Sequence, residues 1–300
     1  MAEPVENRIL VIGAQGQVGS ALMRAAWPAG CQLIGVARPE IDLAAPGSLV
    51  DAVAAHRPRF IVNAAAYTAV DKAESDRTAA FATNGEAPGL LARLAREHGA
   101  TLVHLSTDYV FDGSKTAPYV ETDPTGPLGV YGESKLAGEQ AIAAAGGDWV
   151  ILRTAWVYDA GPRNFVATML RLGAQRDQLT VVNDQQGCPT SAAEIADAIV
   201  AVVASRRENP RGPAGIFHFS GGGATTWFDF ANAIFAEAAR RGQKVPAVMP
   251  ISTEQYPTPA RRPRNSRLEC RKFTQAFGVS LRPWQESLAR TMAERDRLAG

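Results

Sequence analysis

Apolar positions in the first half of the chain fall into short, nearly continuous runs, and stretches of helical period separate them. Arg8–Ile12 (RILVI) reads as a strand, and 17–26 carries apolar residues at helical spacing. Gln32–Val36 is predicted as a second strand, and 48–56 as a helix opened by a Ser-x-x-Asp box, Ser48 to Asp51. Phe60–Asn63 reads as a third strand. Helical stretches follow at 69–84 and 87–98, the second closed by Gly99. Residues 101–106 (TLVHLS) form a fourth predicted strand, 131–144 a helix stopped by Gly146-Gly147, and 149–154 a fifth strand. Alternation at this spacing demands right-handed crossovers and a parallel sheet covered on both faces. The expected fold class is α/β, with a doubly wound parallel sheet.

After about residue 155 the rhythm loosens. The pattern predicts a helix over 164–173, a strand over 179–182, a loop over 183–190, a long apolar-striped helix over 192–205 and a strand over 215–220. Beyond three glycines at 221–223, a Thr226-x-x-Asp229 box starts another helix, and the tail from 246 to 300 is rich in Pro and Arg. No internal repeat or low-complexity linker interrupts this region, so it is expected to pack on the first.

Composition narrows the classes. With 300 residues, 46% of them hydrophobic, the chain can bury a sizeable core and is not a disordered one. Lys and Arg number 31 against 30 Asp and Glu, a net +1, which disfavours nucleic acid as a partner. No apolar run approaches the roughly 18 residues of a membrane span, so no membrane partner is expected. The first seven residues carry Glu3 and Glu6 and do not read as a signal peptide. Cys31, Cys188 and Cys270 are odd in number and scattered, which fits packing roles in a reducing, cytoplasmic compartment. His56 and His98 fall near helix ends, whereas His104 and His218 lie inside strand-like runs and read as structural. Neither a zinc site nor a Ser-His-Asp triad is suggested.

The candidate chemistry begins at Gly13-Ala14-Gln15-Gly16-Gln17-Val18-Gly19, a GxxGxxG placed directly after the first strand and opening the first helix. Pyrophosphate must sit against bare backbone at a helix N-terminus, so a side chain at Gly16 would block it, and Gly19 lets helix and sheet pack closely. In this context the loop reads as dinucleotide-binding and the sheet as Rossmann-type. The ribose is read at the end of the second strand, where a carboxylate accepts from a 2′-hydroxyl and an arginine accommodates a 2′-phosphate. Arg38 stands there, which favours NADPH and leaves NADH open; otherwise Arg38 is a solvated charge, and Glu40 or Asp42 serves the ribose.

Tyr131-Gly-Glu-Ser-Lys135 is a YxxxK pair on a predicted helix, with both side chains on one face and about 6 Å apart along the axis. A neighbouring ammonium would stabilise the Tyr131 phenolate by about 3–4 kcal/mol and so lower its pKa. Ser106-Thr107 falls at the carboxyl end of the fourth strand, the edge of an open α/β sheet where ligands bind. A hydroxyl there can bond a substrate carbonyl or the active phenol.

Together the glycine loop, YxxxK and the strand-end hydroxyl resemble the extended, sugar-nucleotide branch of the short-chain dehydrogenase/reductases. The runs from Asn63 to Glu74, Ser106 to Gly113, Arg153 to Tyr158, Asp184 to Thr190 and Arg262 to Leu268 bring the resemblance closer, to the dTDP-4-dehydrorhamnose reductase family, over essentially the whole chain. The resemblance implies hydride transfer from NAD(P)H to a sugar C4 keto group, with Tyr131 protonating the oxygen. Lys135 would hold the nicotinamide ribose and depress the Tyr131 pKa, and Thr107 would orient the carbonyl. It also implies Gly16, Gln17 and Val18 at the pyrophosphate, Asp42 and Leu43 near adenine, and Ala66, Tyr67, Thr68 and Leu105 along the cofactor. Thr107, Asp108 and Trp156 would face the sugar nucleotide. Arg262, one of six cations over 261–272, is favoured for the diphosphate; the alternative is a solvated basic face. Trp156 alternatively reads as a core aromatic, and Asp71 and Glu74 read chiefly as solvated helix charges.

The expected architecture is thus a nucleotide-binding domain of 1–155 plus about 191–220, and a smaller α/β substrate-binding domain of about 156–190 plus 221–300. Family members are described as magnesium-linked dimers, but no matching carboxylate ligands stand out, so metal and homodimer stay open. Rival readings are a dehydratase, which needs a second carboxylate where Tyr109 stands, an epimerase that retains NAD, and a non-catalytic regulatory subunit of the methionine adenosyltransferase type.

Overall fold

The structure, a computed structural model, describes residues 7–299. Five strands alternate with helices through the first half: β1 (Arg8–Ile12), β2 (Gln32–Val36), β3 (Phe60–Asn63), β4 (Thr101–Thr107) and β5 (Asp148–Thr154). Among the described residues a sixth strand, Gly215–His218, joins them in a parallel sheet ordered Gly215–His218, β5, β4, β3, β1, β2. The order reverses beside β1, with β2 on one side and β3 on the other, so the carboxyl ends of β1 and β3 border the crevice where open α/β sheets bind ligands.

Burial on both faces explains the continuous apolar strands. Alternate residues of β1 point to opposite sides, Ile9 and Val11 into one core and Leu10 and Ile12 into another. The first core is covered by α1 (Gln17–Arg24) and by the Ala192–Glu208 helix, whose Ile195, Ile199, Val202 and Val203 are fully buried. The second core takes α2 (Pro46–His56) and, beyond α3 (Val70–Ala73) and α4 (Arg77–Phe81), the helices α5 (Ala87–Glu97) and α6 (Val130–Ala145). A third core lies under Phe165–Gln175, Trp227–Arg240 and Trp284–Ala299 and the short parallel pair Gln178–Val182 with Ala247–Ile251.

Two local expectations need correction. The Ser48–Asp51 box does not open its helix: α2 begins at Pro46, whose missing N–H suits the first helical position. Ser48 Oγ is inside the helix, donating to the Ala45 carbonyl at 2.8 Å. The helix expected over 69–84 is broken into α3, α4 and a π turn, Ala82–Glu86, that runs into α5. The turn presents Asn84, wholly buried, to the 67 backbone and to α6. Elsewhere the punctuation is as expected. Gly146 ends α6 at φ 67°, and Asp229 N–H donates to Thr226 Oγ1 at 3.1 Å. His104 and His218 are buried in strands, and the three cysteines are free thiols. Among the described residues no helix is long and apolar enough to cross a membrane.

Candidate active site

One long cleft of about 880 Å³ runs across the carboxyl edge of the sheet. At one end lies the glycine loop. The Gly13 N–H donates to the Val36 carbonyl at 2.9 Å, which ties the turn to β2. A Cβ on Gly19 would lie 1.9 Å from the Gly13 oxygen, so helix and turn can close only without one. Gly16 caps α1 with no side-chain acceptor of its own, leaving first-turn N–H groups for an outside anion. Gly16, Gln17 and Val18 line the cleft with Gly13, while Gly19 acts from behind as a packing position. Arg38, Asp42 and Leu43 line the cleft after β2, and Arg163, which sequence reasoning missed, lines it too. Asp42 Oδ1 accepts the Ala44 N–H at 3.0 Å and shapes that turn.

Ala66, Tyr67, Thr68 and Leu105 form the middle of the cleft. The Tyr67 segment is held by Asn84: its Oδ1 accepts the Tyr67 N–H at 2.9 Å, and its Nδ2 donates to the Tyr67 carbonyl and Ser134 Oγ, each at 3.0 Å. Ser134 is inside the YxxxK motif, so one buried amide registers the Tyr67 segment against α6. Gly138 permits this approach, since a Cβ there would meet the Asn84 oxygen at 2.1 Å.

Tyr131 and Lys135 line the far end, on one face of α6 as their spacing requires. The N-terminus of that helix is fastened by Glu74, whose Oε1 accepts the Val130 N–H at 2.9 Å. Asp71 is bound to Arg262 through two contacts of 2.8 and 3.1 Å. Both acids thus anchor a neighbouring segment while staying in reach of water, Glu74 exposed and the Asp71 side chain 42% so, and their reading as solvated charges holds in part. Tyr131 packs edge-on against Tyr109 at 5.4 Å between ring centroids.

Electrostatics at this end run against expectation. Burial pushes the Tyr131 phenol up to about 12; the Thr107 hydroxyl bonded to it pulls down, and the Asp108 charge pushes further up. Lys135 does not produce the expected depression. Its Nζ turns to the Leu105 carbonyl at 2.6 Å and to His104 Nε2 at 3.3 Å, and burial lowers the ammonium itself to about 8. Asp108 is 2% exposed, and burial raises it to about 6 against the pull of Ser266 and Thr107. Thr107 Oγ1 donates to Asp108 Oδ1 at 2.9 Å, while Asp108 Oδ2 is buried with no partner. Such an orphaned acceptor beside a phenol and a hydroxyl is the mark of a site built for a polar ligand.

Beneath the pair lies a network that sequence reasoning missed. Glu139, one turn beyond Lys135, binds Arg153 of β5 at 2.6 and 2.9 Å and accepts from Ser106 Oγ, with Glu139 and Arg153 each 3% exposed. Only the even spacing of Lys135 and Glu139 hinted at it.

Trp156 has φ 48°, a strained value for an aromatic residue, and stacks on Trp227 at 3.5 Å and 8°. A Cβ on Gly187 would lie 2.2 Å from its ring. It is only half-buried, so it joins the edges of two apolar clusters instead of filling one core. The basic run 261–272 disperses: Arg262 pairs with Asp71, Arg264 with Glu254 and Arg271 with Glu269, while Lys272 reaches the Ile216 carbonyl. Of these, Arg262 stands nearest the chemistry, its charge acting on the Tyr109 phenol. Among the described residues no group of three or more His, Cys, Asp or Glu side chains could hold a metal ion.

A glycine cradle at one end of a crevice and a Tyr–Lys helix with a strand-end Thr at the other define an NAD(P)H-dependent oxidoreductase of the short-chain dehydrogenase/reductase type. The chain matches the model of the RmlD substrate binding domain over residues 7–297. It is 47% identical over 285 residues to a dTDP-4-dehydrorhamnose reductase of Burkholderia thailandensis, covering 93% of this chain and 95% of that one. A crystal structure of a dTDP-4-dehydrorhamnose reductase from Clostridium acetobutylicum superimposes with a TM-score of 0.88 at 35% identity, covering 95% of this chain and 98% of that one. One from Bacillus anthracis, in complex with NADP, gives 0.88 at 34% identity, covering 96% and 99%. The chain belongs to the dTDP-4-dehydrorhamnose reductase family.

Proposed function

We propose that this chain reduces the C4 keto group of dTDP-4-dehydro-L-rhamnose to give dTDP-L-rhamnose, with NADPH as the preferred reductant and Tyr131 as the proton donor. The observation that carries this reading is the Tyr131 phenol, held against Thr107 at the end of a cleft whose other end is a bare-backbone phosphate cradle. The cradle fits a dinucleotide because a turn that closes only with glycine at 13 and 19 brings bare backbone, and the uncapped N–H groups of α1, to the cleft. Arg38 at the adenosine end supports the 2′-phosphate form, and Asp42 beside it is the group that would serve NADH.

The reduced nicotinamide, when bound, supplies the hydride. The residues of this chain do the rest. Gly16, Gln17 and Val18 hold pyrophosphate, Asp42 and Leu43 flank adenine, and Ala66, Tyr67, Thr68 and Leu105 line the path between. Lys135 holds the nicotinamide ribose. Thr107 and Tyr131 grip the keto oxygen, and the Tyr131 O–H passes its proton to that oxygen as it becomes a hydroxyl. A phenol whose pKa stays high arrives protonated, which suits a reductase. Asp108 Oδ2 accepts from a sugar hydroxyl, Trp156 walls the sugar, and Arg262, anchored by Asp71, faces the diphosphate. Residues 1–155 plus about 191–220 make the nucleotide-binding half, a division supported by the pairing of Gly215–His218 with β5. The free thiols support a reducing compartment, the cytoplasm.

A dehydratase reading finds less support. The residue after Asp108 is Tyr109, whose phenol burial pushes far above neutrality, so no second acid–base group of suitable pKa stands there. The test is NADPH consumption by the purified chain. Loss of absorbance is expected only with dTDP-4-dehydro-L-rhamnose present, together with dTDP-L-rhamnose as product. A folded chain that consumes no NADPH with this substrate would sink the proposal.

A further inference from the structure

The loop of residues 159–164, between Tyr158 and the Phe165–Gln175 helix, forms part of the cleft wall: Asp159 to Arg163 all line it, together with Gly16 and Gln17 of the cradle. The loop is tied into one shape. Asp159 Oδ1 accepts the Gly161 N–H at 3.0 Å, and Asn164 Nδ2 donates to the same oxygen at 2.7 Å and to the Gly161 carbonyl at 3.1 Å. Asn164 Oδ1 accepts the Ala167 N–H at 3.0 Å and so caps the helix that follows. Pro162 fixes its own φ. From the Trp284–Ala299 helix, Arg295 donates to the Ala160 and Gly161 carbonyls at 3.0 and 3.1 Å. Arg163 itself is exposed, and among the described residues it makes neither a hydrogen bond nor an ion pair.

The charges along the cleft narrow what Arg163 can meet. Arg24, Arg38, Lys135 and Arg163 line it with two carboxylates, Asp42 and Asp159. Each carboxylate is engaged by its own turn, Asp42 by the Ala44 N–H and Asp159 by Gly161 and Asn164. Arg24 reaches Glu294 at 3.4 Å, and Lys135 the Leu105 carbonyl at 2.6 Å. Arg38 follows β2, whereas the Arg163 loop follows β5, and β4, β3 and β1 lie between those two strands. Asp159 also lines a second hollow with Ala21 and Arg24, so the loop reaches across to α1, whose first turn is the cradle. The cradle presents backbone N–H groups but no full positive charge, and a dinucleotide pyrophosphate is a dianion that a guanidinium fork suits. We propose that Arg163 is a further cofactor-binding residue, which brings that charge to the pyrophosphate, and that Arg295 is the positioning residue that holds its loop. The inference rests on the reading of the cleft as the NADPH site.

The test is titration calorimetry of NADPH and of NADH against the full chain and its variants, which needs no turnover. Arg163→Gln should weaken both cofactors by the same factor, about tenfold, because both carry the pyrophosphate. Arg163→Lys, which keeps the charge without the fork, should lose less. Added salt should weaken binding to the unmodified chain more than to Arg163→Gln. Arg295→Met should also weaken both cofactors, but in the Arg163→Gln background it should change nothing, since the brace acts through Arg163. Unchanged affinity in Arg163→Gln would overturn the proposal. A loss confined to NADPH would overturn it too, by placing Arg163 at the 2′-phosphate. An equal Arg295→Met loss in both backgrounds would overturn the positioning role. Failure of the unmodified chain to bind either cofactor would instead sink the NADPH reading itself, and this inference with it.

Discussion

The two ends of the cleft are built from different materials. The cradle end is backbone: Gly13 bonded to Val36, Gly16 without a capping side chain, and Gly19 pressed to within 1.9 Å (for an added Cβ) of the Gly13 oxygen. The Tyr131 end is titratable side chains largely withdrawn from water: Tyr131 pushed up to about 12, Lys135 pulled down to about 8 and Asp108 pushed up to about 6. At the cradle, function is a shape, and one methyl group breaks it. At the catalytic end, function is a balance between burial and charge, and an isosteric change is enough to upset it. That difference also tells which end is written locally in the chain.

The largest expected effect is at the catalytic end. Arg153→Met strands Glu139 as a buried, uncompensated charge, and unfolding free energy in denaturant should fall by about 3–5 kcal/mol. A much smaller loss would mean that the network is not a support for α6. Asp108 makes the opposite case. Its folded pKa of about 6 lies above the ordinary 3.8, so stability is fully present below about pH 4 and declines as pH rises through 6. Asp108→Asn should therefore stabilise the fold at pH 8 by as much as about 3 kcal/mol and hardly at all at pH 4, while lowering activity. An equal gain at both pH values would refute the assigned burial penalty.

The cradle is probed next. Gly19→Ala should cost about 1–3 kcal/mol of stability through overpacking and weaken NADPH binding by tenfold or more, measured by calorimetry. Normal affinity would show that the turn yields more readily than its contacts indicate. Smallest is Arg38→Asp, expected to shift the NADPH:NADH preference by about tenfold, or about 1.4 kcal/mol, toward NADH. An unchanged ratio would assign ribose reading to Asp42.

What was legible in the chain follows the same division. The glycine loop, the strands about it and the Tyr131–Lys135 spacing are local requirements, each visible within seven residues. The anchoring roles of Asp71 and Glu74 were hidden because their partners, Arg262 and the Val130 N–H, stand 191 and 56 positions away. The π turn at Asn84 was hidden for the same reason: its cause is the approach of Ser134 and Tyr67, not its own propensity. The direction of the Tyr131 shift was misjudged because spacing shows that Lys135 shares its face, but not that its Nζ donates to the Leu105 carbonyl and lies against His104. Ser48 was misread as a cap because Pro46, two residues earlier, is the better first helical residue.

The central claim is that Tyr131 supplies the proton at a cleft that holds NADPH and the keto sugar together. It is met most directly by single-turnover reduction of dTDP-4-dehydro-L-rhamnose with Tyr131→Phe, alongside NADPH affinity for the same protein. The rate of NADPH oxidation is expected to fall by about 10²–10⁴-fold with affinity and fold unchanged. A Tyr131→Phe protein that turns over within a few-fold of the unmodified chain would contradict it.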